Sequence, residues 1–328
     1  MLKMIGNFVL VFTLVCMLLV NPVWSPALVL NVTTSKPVYN AGETLEINGN
    51  LTNNGVPVPD GLVLLQINHP KGSAWIVRTL TTGETPSGPF PVEILNVTST
   101  DSSGQPKSLF NRGQDAGFKV FIRNNALSSY QVLAMINLYY SNGVPFKLFK
   151  IYNATIDAGT TISASTYPVN IPSDAVSGQA AAYASVSDDF PNRTGFAYGP
   201  EAKGTFNIVN GAGGSAPPAS PPGTFNFSVP LRSILVWLGN YTVYANTRYG
   251  DVWPQISLST CIFTVILIGD LNGDGKIDIK DISIVARAYG SDPGKPNWNP
   301  DADLNHDGKV DIKDIAIVAK VFGVVTIP

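Results

Sequence analysis

Two stretches near the C-terminus carry one pattern twice. Residues 270–290 read DLNGDGKIDIKDISIVARAYG and residues 303–323 read DLNHDGKVDIKDIAIVAKVFG. They align at an offset of 33 residues with 15 identities in 21 positions, an internal duplication. Two short copies of one unit, each with a single short apolar face, are expected to form one small core between them.

Each copy spaces oxygen donors as a calcium loop requires, since calcium is a hard cation that takes six to eight oxygens. The first copy offers Asp270, Asn272 and Asp274 at loop positions 1, 3 and 5, and the carbonyl of Lys276 at position 7. Asp278 at position 9 acts through water and Asp281 closes the loop at position 12. The second copy repeats the set as Asp303, Asn305, Asp307, Lys309, Asp311 and Asp314. Gly275 and Gly308 at position 6 permit the sharp turn. Ile277 and Val310 at position 8 are expected in the core, and His306 at position 4 is expected to point outward. Position 12 is Asp where a calmodulin-type hand has Glu. One amphipathic helix should follow each loop, with Ile282, Val285, Ala286 and Tyr289 on one apolar stripe and Ile315, Val318, Ala319 and Phe322 on the other. Residues 270–323 hold ten Asp against seven Lys and Arg, a charge of -3 that two calcium ions convert to +1. The metal-free form should therefore repel itself, and the region is expected to fold on binding calcium.

Loop then helix, twice, joined by SDPGKPNWNPDA with Trp298 placed to cap the core, resembles a dockerin domain over residues 269–323. The resemblance implies two calcium ions and a protein partner, a cohesin module of a scaffold or cell-surface protein. It also implies partner contacts at loop positions 10 and 11, here Ile279 with Lys280 and Ile312 with Lys313. Arg287 and Lys320 on the following helices are further candidates. An apolar residue beside a cation suits a mixed interface; the alternative is that the isoleucines are core and the lysines merely solvated. These pairs are not the Ser-Thr pairs of well-known cellulosomal dockerins, which leaves the partner's identity open. The near-identical copies imply two related binding faces.

The opposite end reads as an address. Lys3 supplies a positive start, Phe8 to Val20 is an apolar core, and Ser25-Pro26-Ala27 offers the small residues that a signal peptidase reads. Residues 1–27 are thus expected to be a signal peptide cut after Ala27, leaving a secreted or cell-surface chain with no membrane span; an uncleaved anchor is the alternative. Cys16 falls in the leader, so Cys261 is the one cysteine of the remaining chain and no internal disulfide is expected. Seven N-x-S/T sequons, at Asn31, Asn50, Asn96, Asn153, Asn192, Asn226 and Asn240, are candidate glycosylation sites. The formal charge of -2 gives no basic footprint for nucleic acid.

Between the two ends the pattern is all β. Runs such as TLEINGNLT (44–52), GLVLLQIN (61–68), FKVFIRN (118–124) and YTVYAN (241–246) are divided by Gly, Pro, Asn and Asp, the mark of a β-sandwich. Within residues 33–72, Lys36-Pro37-Val38-Tyr39, then Gly42-Glu43-Thr44, Gly49, a Gly-x-Pro turn and an apolar strand resemble the opening of a secreted Ig-like module of the macroglobulin-like kind. That resemblance implies a sandwich without catalysis. The opening holds half the strands such a module needs, and half a sandwich leaves an apolar face and strand edges unpaired. Residues 28–86 and 223–268 are therefore expected to form one discontinuous sandwich, with 88–210 inserted as a second and 211–222 as a Gly/Ser/Pro linker. Three consecutive modules are the simpler alternative. The fold class expected is mostly β, Ig-like sandwiches followed by a small α-helical dockerin.

No G-x-S-x-G elbow and no H-E-x-x-H occurs in the sequence. Glu43, Glu93, Asp115 and Glu201 are expected at turns or on the surface, the Asp188-Asp189 pair in a solvated turn, His69 in a hairpin, and Trp75, Trp237 and Trp253 in sandwich core rather than on a sugar-stacking platform. The reading is a secreted, non-catalytic structural or adhesion component attached through its dockerin to a cohesin-bearing protein. The runner-up is a component of extracellular polysaccharide degradation, a carbohydrate-binding module or a glycoside hydrolase recruited the same way.

Overall fold

The computed structural model describes residues 28–83, 86–209, 221–231, 235–250 and 255–327. The expected signal peptide with Cys16, linker residues 211–220 and Trp253 lie outside the described residues. The chain begins with β1 (Leu28–Thr34), β2 (Val38–Asn40), β3 (Thr44–Asn53), β4 (Val56–Pro57), β5 (Leu62–Asn68) and β6 (Ala74–Thr81). There follow β7 (Val92–Thr100), β8 (Leu109–Phe110), β9 (Asp115–Asn124), β10 (Tyr130–Tyr139), β11 (Pro145–Ile156), β12 (Thr161–Ser165), β13 (Val169–Asn170), β14 (Gly178–Ser187) and β15 (Ala202–Ile208). After residue 221 come β16 (Thr224–Pro230), β17 (Leu235–Trp237), β18 (Gly239–Tyr249) and β19 (Gln255–Ile266). Two helices, α1 (Ile279–Ala288) and α2 (Ile312–Lys320), and a last strand β20 (Val325–Ile327) complete the chain. No described helix is long and apolar enough to cross a membrane.

The strands after residue 223 pair with strands before residue 86. One sheet runs β1-β3-β16, and the other runs β2-β19-β18-β5-β6. Phe227 lies opposite Ile47, and Val243 lies opposite Ile67. Alternation builds the core between these sheets: Leu45, Ile47 and Leu51 of β3 are buried while Glu46, Asn48 and Asn50 face solvent. They meet Leu65, Ile67, Val243, Phe263 and Val265 from the facing sheet. β1 is an edge strand, and its outward amides do not go to water. Leu28 N, Leu30 N and Val32 N donate to Gln255 Oε1, Ser257 Oγ and Ser259 Oγ of β19, at 3.1, 3.0 and 3.0 Å. Side chains of one sheet thereby close the corner of the sandwich.

Residues 92–208 form a second pair of sheets, β11-β10-β14-β15-β8 against β12-β9-β13 with β7 on β9. Their core joins Phe118, Val120 and Ile122 to Ile136, Leu138, Ala182, Ala184 and Phe206. The two sandwiches also pack on each other. Leu64 and Val77 of the first meet Leu133 and Met135 of the second in a separate buried cluster. Polar groups in that seam are matched: Val77 N donates to Asn137 Oδ1 at 2.7 Å, and Asn246 Nδ2 donates to the carbonyls of Pro191 and Gly195 at 2.9 and 3.0 Å. Arg78 grips Glu201 with two donors, Nε to Oε2 at 2.8 Å and Nη2 to Oε1, and Thr79 N adds a third bond to the same carboxylate. Glu201, expected on the surface, is therefore a partly buried anchor of this seam.

The helical module has its own core of Ile277, Val285, Ala288, Ala302, Val310, Val318 and Val321, with Trp298 packed against it. Leu267 and Val324 pack against both this core and that of the first sandwich. β20 pairs in parallel with β17, and Val325 bridges to Lys276. The helix stripes differ from expectation. Val285 and Val318 are buried, but Ala286, Tyr289, Ala319 and Phe322 are exposed. The helices end at Ala288 and Lys320, so Tyr289 and Phe322 leave the helical screw, and Tyr289 already has ψ 136°.

Candidate metal centre

Each loop is wound around its own carboxylates. In the first, Asp270 accepts from Asp274 N with Oδ1 (3.2 Å) and from Gly275 N with Oδ2 (2.9 Å). Asn272 Oδ1 accepts from Asp274 N at 2.8 Å, and Asp274 Oδ1 accepts from Lys276 N at 3.1 Å. In the second loop Asp303, Asn305 and Asp307 make the same bonds to Asp307 N, Gly308 N and Lys309 N, at 3.2, 2.9, 2.9 and 3.1 Å. The duplication in sequence is a duplication of geometry.

Asp281 and Asp314 close the loops and are fully buried. Asp281 Oδ1 accepts from Leu271 N and Asn272 N, and Oδ2 accepts from Asp278 N, at 2.9, 3.3 and 2.9 Å. Asp314 does the same for Leu304 N, Asn305 N and Asp311 N, at 2.9, 3.3 and 2.8 Å. The same residues stand at the third position of their helices. They complete capping boxes with Asp278 and Asp311, which accept from Lys280 N and Lys313 N. One short carboxylate thus ties the first turn of a helix to the start of its loop, and this is why Asp serves at position 12.

The turn at position 6 has φ 77° at Gly275 and 79° at Gly308, the left-handed region that glycine tolerates. Position 4 also lies there, with φ 70° at Gly273 and 58° at His306. His306 is exposed, as expected for position 4, but its left-handed backbone is a further requirement that the glycine at the matching position signals. Ile277 and Val310 are buried at position 8 as expected. Each pairs with the chain just past the other copy's helix: Gly323 N donates to Ile277 O and Ile277 N to Val324 O, while Gly290 N donates to Val310 O and Val310 N to Ser291 O.

The donors gathered in each loop are carboxylate, amide and carbonyl oxygens. That all-oxygen chemistry fits a hard cation such as calcium. Among the described residues, no three His, Cys, Asp or Glu side chains converge as a ready-made metal cluster. The set depends instead on mixing Asp with Asn and a main-chain carbonyl.

The residues read as partner contacts stand on the outside of this frame. Ile279 and Ile312 are 67% and 63% exposed, so neither is core, and Lys280, Arg287, Lys313 and Lys320 are exposed too. Lys280 Nζ donates to Asp274 Oδ2 at 3.2 Å, and Lys313 Nζ to Asp307 Oδ2 at 2.9 Å. These hydrogen bonds hold the two aspartates below the usual carboxylate range and raise the two lysines.

Contacts of other singled-out residues lie away from the loops. Asp188 Oδ1 caps its own turn through Asp189 N, and its Oδ2 lies 3.7 Å from Arg248. His69 sits in the β5–β6 hairpin with its ring 5.6 Å from Trp75 and 5.8 Å from both Trp237 and Tyr241. Trp75 and Trp237 are half-buried in this cluster and form no exposed row. Glu43 bonds Lys36, and Asp115 accepts from Asn170. All seven sequon asparagines are exposed.

No curated protein matches the chain. Among solved structures, it is similar to the alkylpurine DNA glycosylase AlkC of Pseudomonas fluorescens, with 15% identity and a TM-score of 0.28 over 36% of this chain and 30% of that one. It is similar to the C-terminal domain of Wzt, with 12% identity and a TM-score of 0.30 over 45% and 84%. It is also similar to a β-glucosidase from Listeria innocua, with 10% identity and a TM-score of 0.26 over 42% and 17%. Against protein families, the profile of the dockerin type I domain matches residues 268–322. That span begins two residues before Asp270 and ends one residue before Gly323, enclosing both loops and both helices: the C-terminal module of this chain is a dockerin type I domain.

Proposed function

We propose that this chain is a secreted, non-catalytic structural or adhesion component held on a cohesin-bearing scaffold or cell-surface protein through its dockerin. A dockerin implies a cohesin partner and calcium. The finer reading is two ions, one held by Asp270, Asn272, Asp274, the Lys276 carbonyl, Asp278 and Asp281, the other by Asp303, Asn305, Asp307, the Lys309 carbonyl, Asp311 and Asp314. When bound, calcium supplies charge neutralisation and a common centre for these oxygens. The residues themselves fix the loop to the helix that follows it. That helix starts with an exposed isoleucine and lysine, and the pair is presented twice.

The observation that carries this reading is the repetition, to within about 0.1 Å, of the hydrogen bonds from loop backbone amides to loop side chains, beside exposed Ile279 and Ile312. In the same reading, 28–86 with 223–268 is one Ig-like sandwich, 88–210 is a second one inserted into it, and 1–27 is the signal peptide. Cross-strand pairing of 224–230 with 44–50 supports that division.

The test is capture from the source's own secreted and surface fraction, with residues 28–328 as bait. In calcium, a protein carrying cohesin modules is expected, absent in chelator and absent with Asp270→Ala/Asp303→Ala. Capture that ignores both calcium and the two substitutions would reject the docking role. Binding of the same bait to a polysaccharide, with the dockerin disabled, would move the account to polysaccharide degradation.

A further inference from the structure

The two lysines at loop position 11 have a second place in the structure besides the partner-facing surface. Each lies on the carboxylate at position 5 of its own loop. Asp274 uses Oδ1 for Lys276 N and Oδ2 for the Lys280 ammonium; Asp307 uses Oδ1 for Lys309 N and Oδ2 for the Lys313 ammonium. Lys313 Nζ also lies 3.9 Å from Asp311 Oδ2. The contact repeats in both copies although the lysine side chains are 65% and 64% exposed. Repetition at matched positions marks it as a property of the loop.

A position-5 carboxylate is also one of the groups expected to hold calcium. An ammonium on one of its oxygens and a divalent cation on the same group repel each other over a few ångströms. We propose that Lys280 and Lys313 compete with calcium for Asp274 and Asp307, weakening metal binding and being loosened by it. The inference rests on the reading of the loops as calcium sites. Its consequence is a link between the two ligands. Calcium frees an ammonium beside Ile279 or Ile312, and a partner surface offering a carboxylate there takes it up. By reciprocity, such a partner tightens the hold on calcium.

The experiment is calorimetric titration of calcium into residues 28–328, comparing wild type with Lys280→Gln/Lys313→Gln. The control is Lys295→Gln, whose ammonium pairs with Asp292 at 2.9 Å between the repeats and off both loops. Binding in the double variant is expected to be about three- to tenfold tighter at low salt, a gain that shrinks at high ionic strength. The control is expected to match wild type. Equal affinity in wild type and double variant overturns the competition and leaves the calcium reading intact. The same gain in Lys295→Gln also overturns it, since net charge alone then explains the change. No calcium binding by wild type overturns the calcium reading itself.

Discussion

At the scale of single residues, Asp281 and Asp314 do the most. Each is a buried side chain whose two oxygens accept from three backbone amides at the start of a helix. Asp281→Ala strands those amides and is expected to cost about 2–4 kcal/mol in the stability of the dockerin. Asp278→Ala removes a helix cap and the position-9 group that acts on calcium only through water, and is expected to cost less, about 1 kcal/mol. Denaturation followed by the helical circular dichroism signal separates the two, and equal losses would contradict the assignment. The oxygen spacing was legible in the sequence because a twelve-residue loop fixes which side chains face its centre. The double use of Asp281 was not, because it depends on where the helix begins in space. His69 offers a second check. Burial lowers its pKa from 6.5 to about 4, and its Nδ1 is buried without a partner. The unfolded chain therefore takes up a proton at a higher pH than the folded one. The contribution is full above pH 6.5 and is lost as pH falls from 6.5 towards 4. With its partial exposure discounted, the loss is on the order of 1 kcal/mol. His69→Phe is expected to flatten that acid limb in urea titrations at successive pH values; an unchanged limb would assign it to other groups.

At the scale of elements, the β1 edge and the β5 strand show what periodicity conveys and what it leaves out. Alternation in TLEINGNLT marks a strand, and β3 turns Leu45, Ile47 and Leu51 inward. In QISLSTCIF the same alternation is inverted: Gln255, Ser257 and Ser259 are half-buried while Ile256, Leu258 and Ile262 are exposed. The polar side faces inward because β1 needs acceptors for its edge amides, a demand set by a strand 227 residues away. Ser257→Ala/Ser259→Ala is expected to lower stability by about 2 kcal/mol, near 1 per lost bond. Chemical denaturation measures it, and a neutral result would mean that water replaces the serines. GLVLLQIN, by contrast, has an unbroken apolar stretch at 62–65, and β5 is buried on both faces, Gln66 and Asn68 included. That run is the mark of two-sided burial, here between the first core and the second sandwich.

At the scale of the whole molecule, three modules are packed rather than strung. The seam between the sandwiches centres on Arg78 and Glu201, whose side chains are 10% and 16% exposed. Removing one charge leaves the other buried, so Glu201→Ala is expected to cost about 3–5 kcal/mol. The pair Arg78→Met/Glu201→Leu is expected to regain most of that in thermal melts. If the double variant is as unstable as the single one, lost packing and not an orphaned charge is responsible. No sequence pattern reveals this seam, because Arg78 and Glu201 are 123 residues apart and Glu201 alone reads as a surface residue. The dockerin is mounted in turn on the first sandwich through Leu267, Val324 and the pairing of β20 with β17.

Whether the duplicated loops are two calcium sites is decided by counting bound ions. Equilibrium dialysis of residues 28–328 against calcium should give two ions per chain, one with Asp270→Ala and none with Asp270→Ala/Asp303→Ala. Retention of both ions by the double variant, or no binding by the wild type, would contradict it.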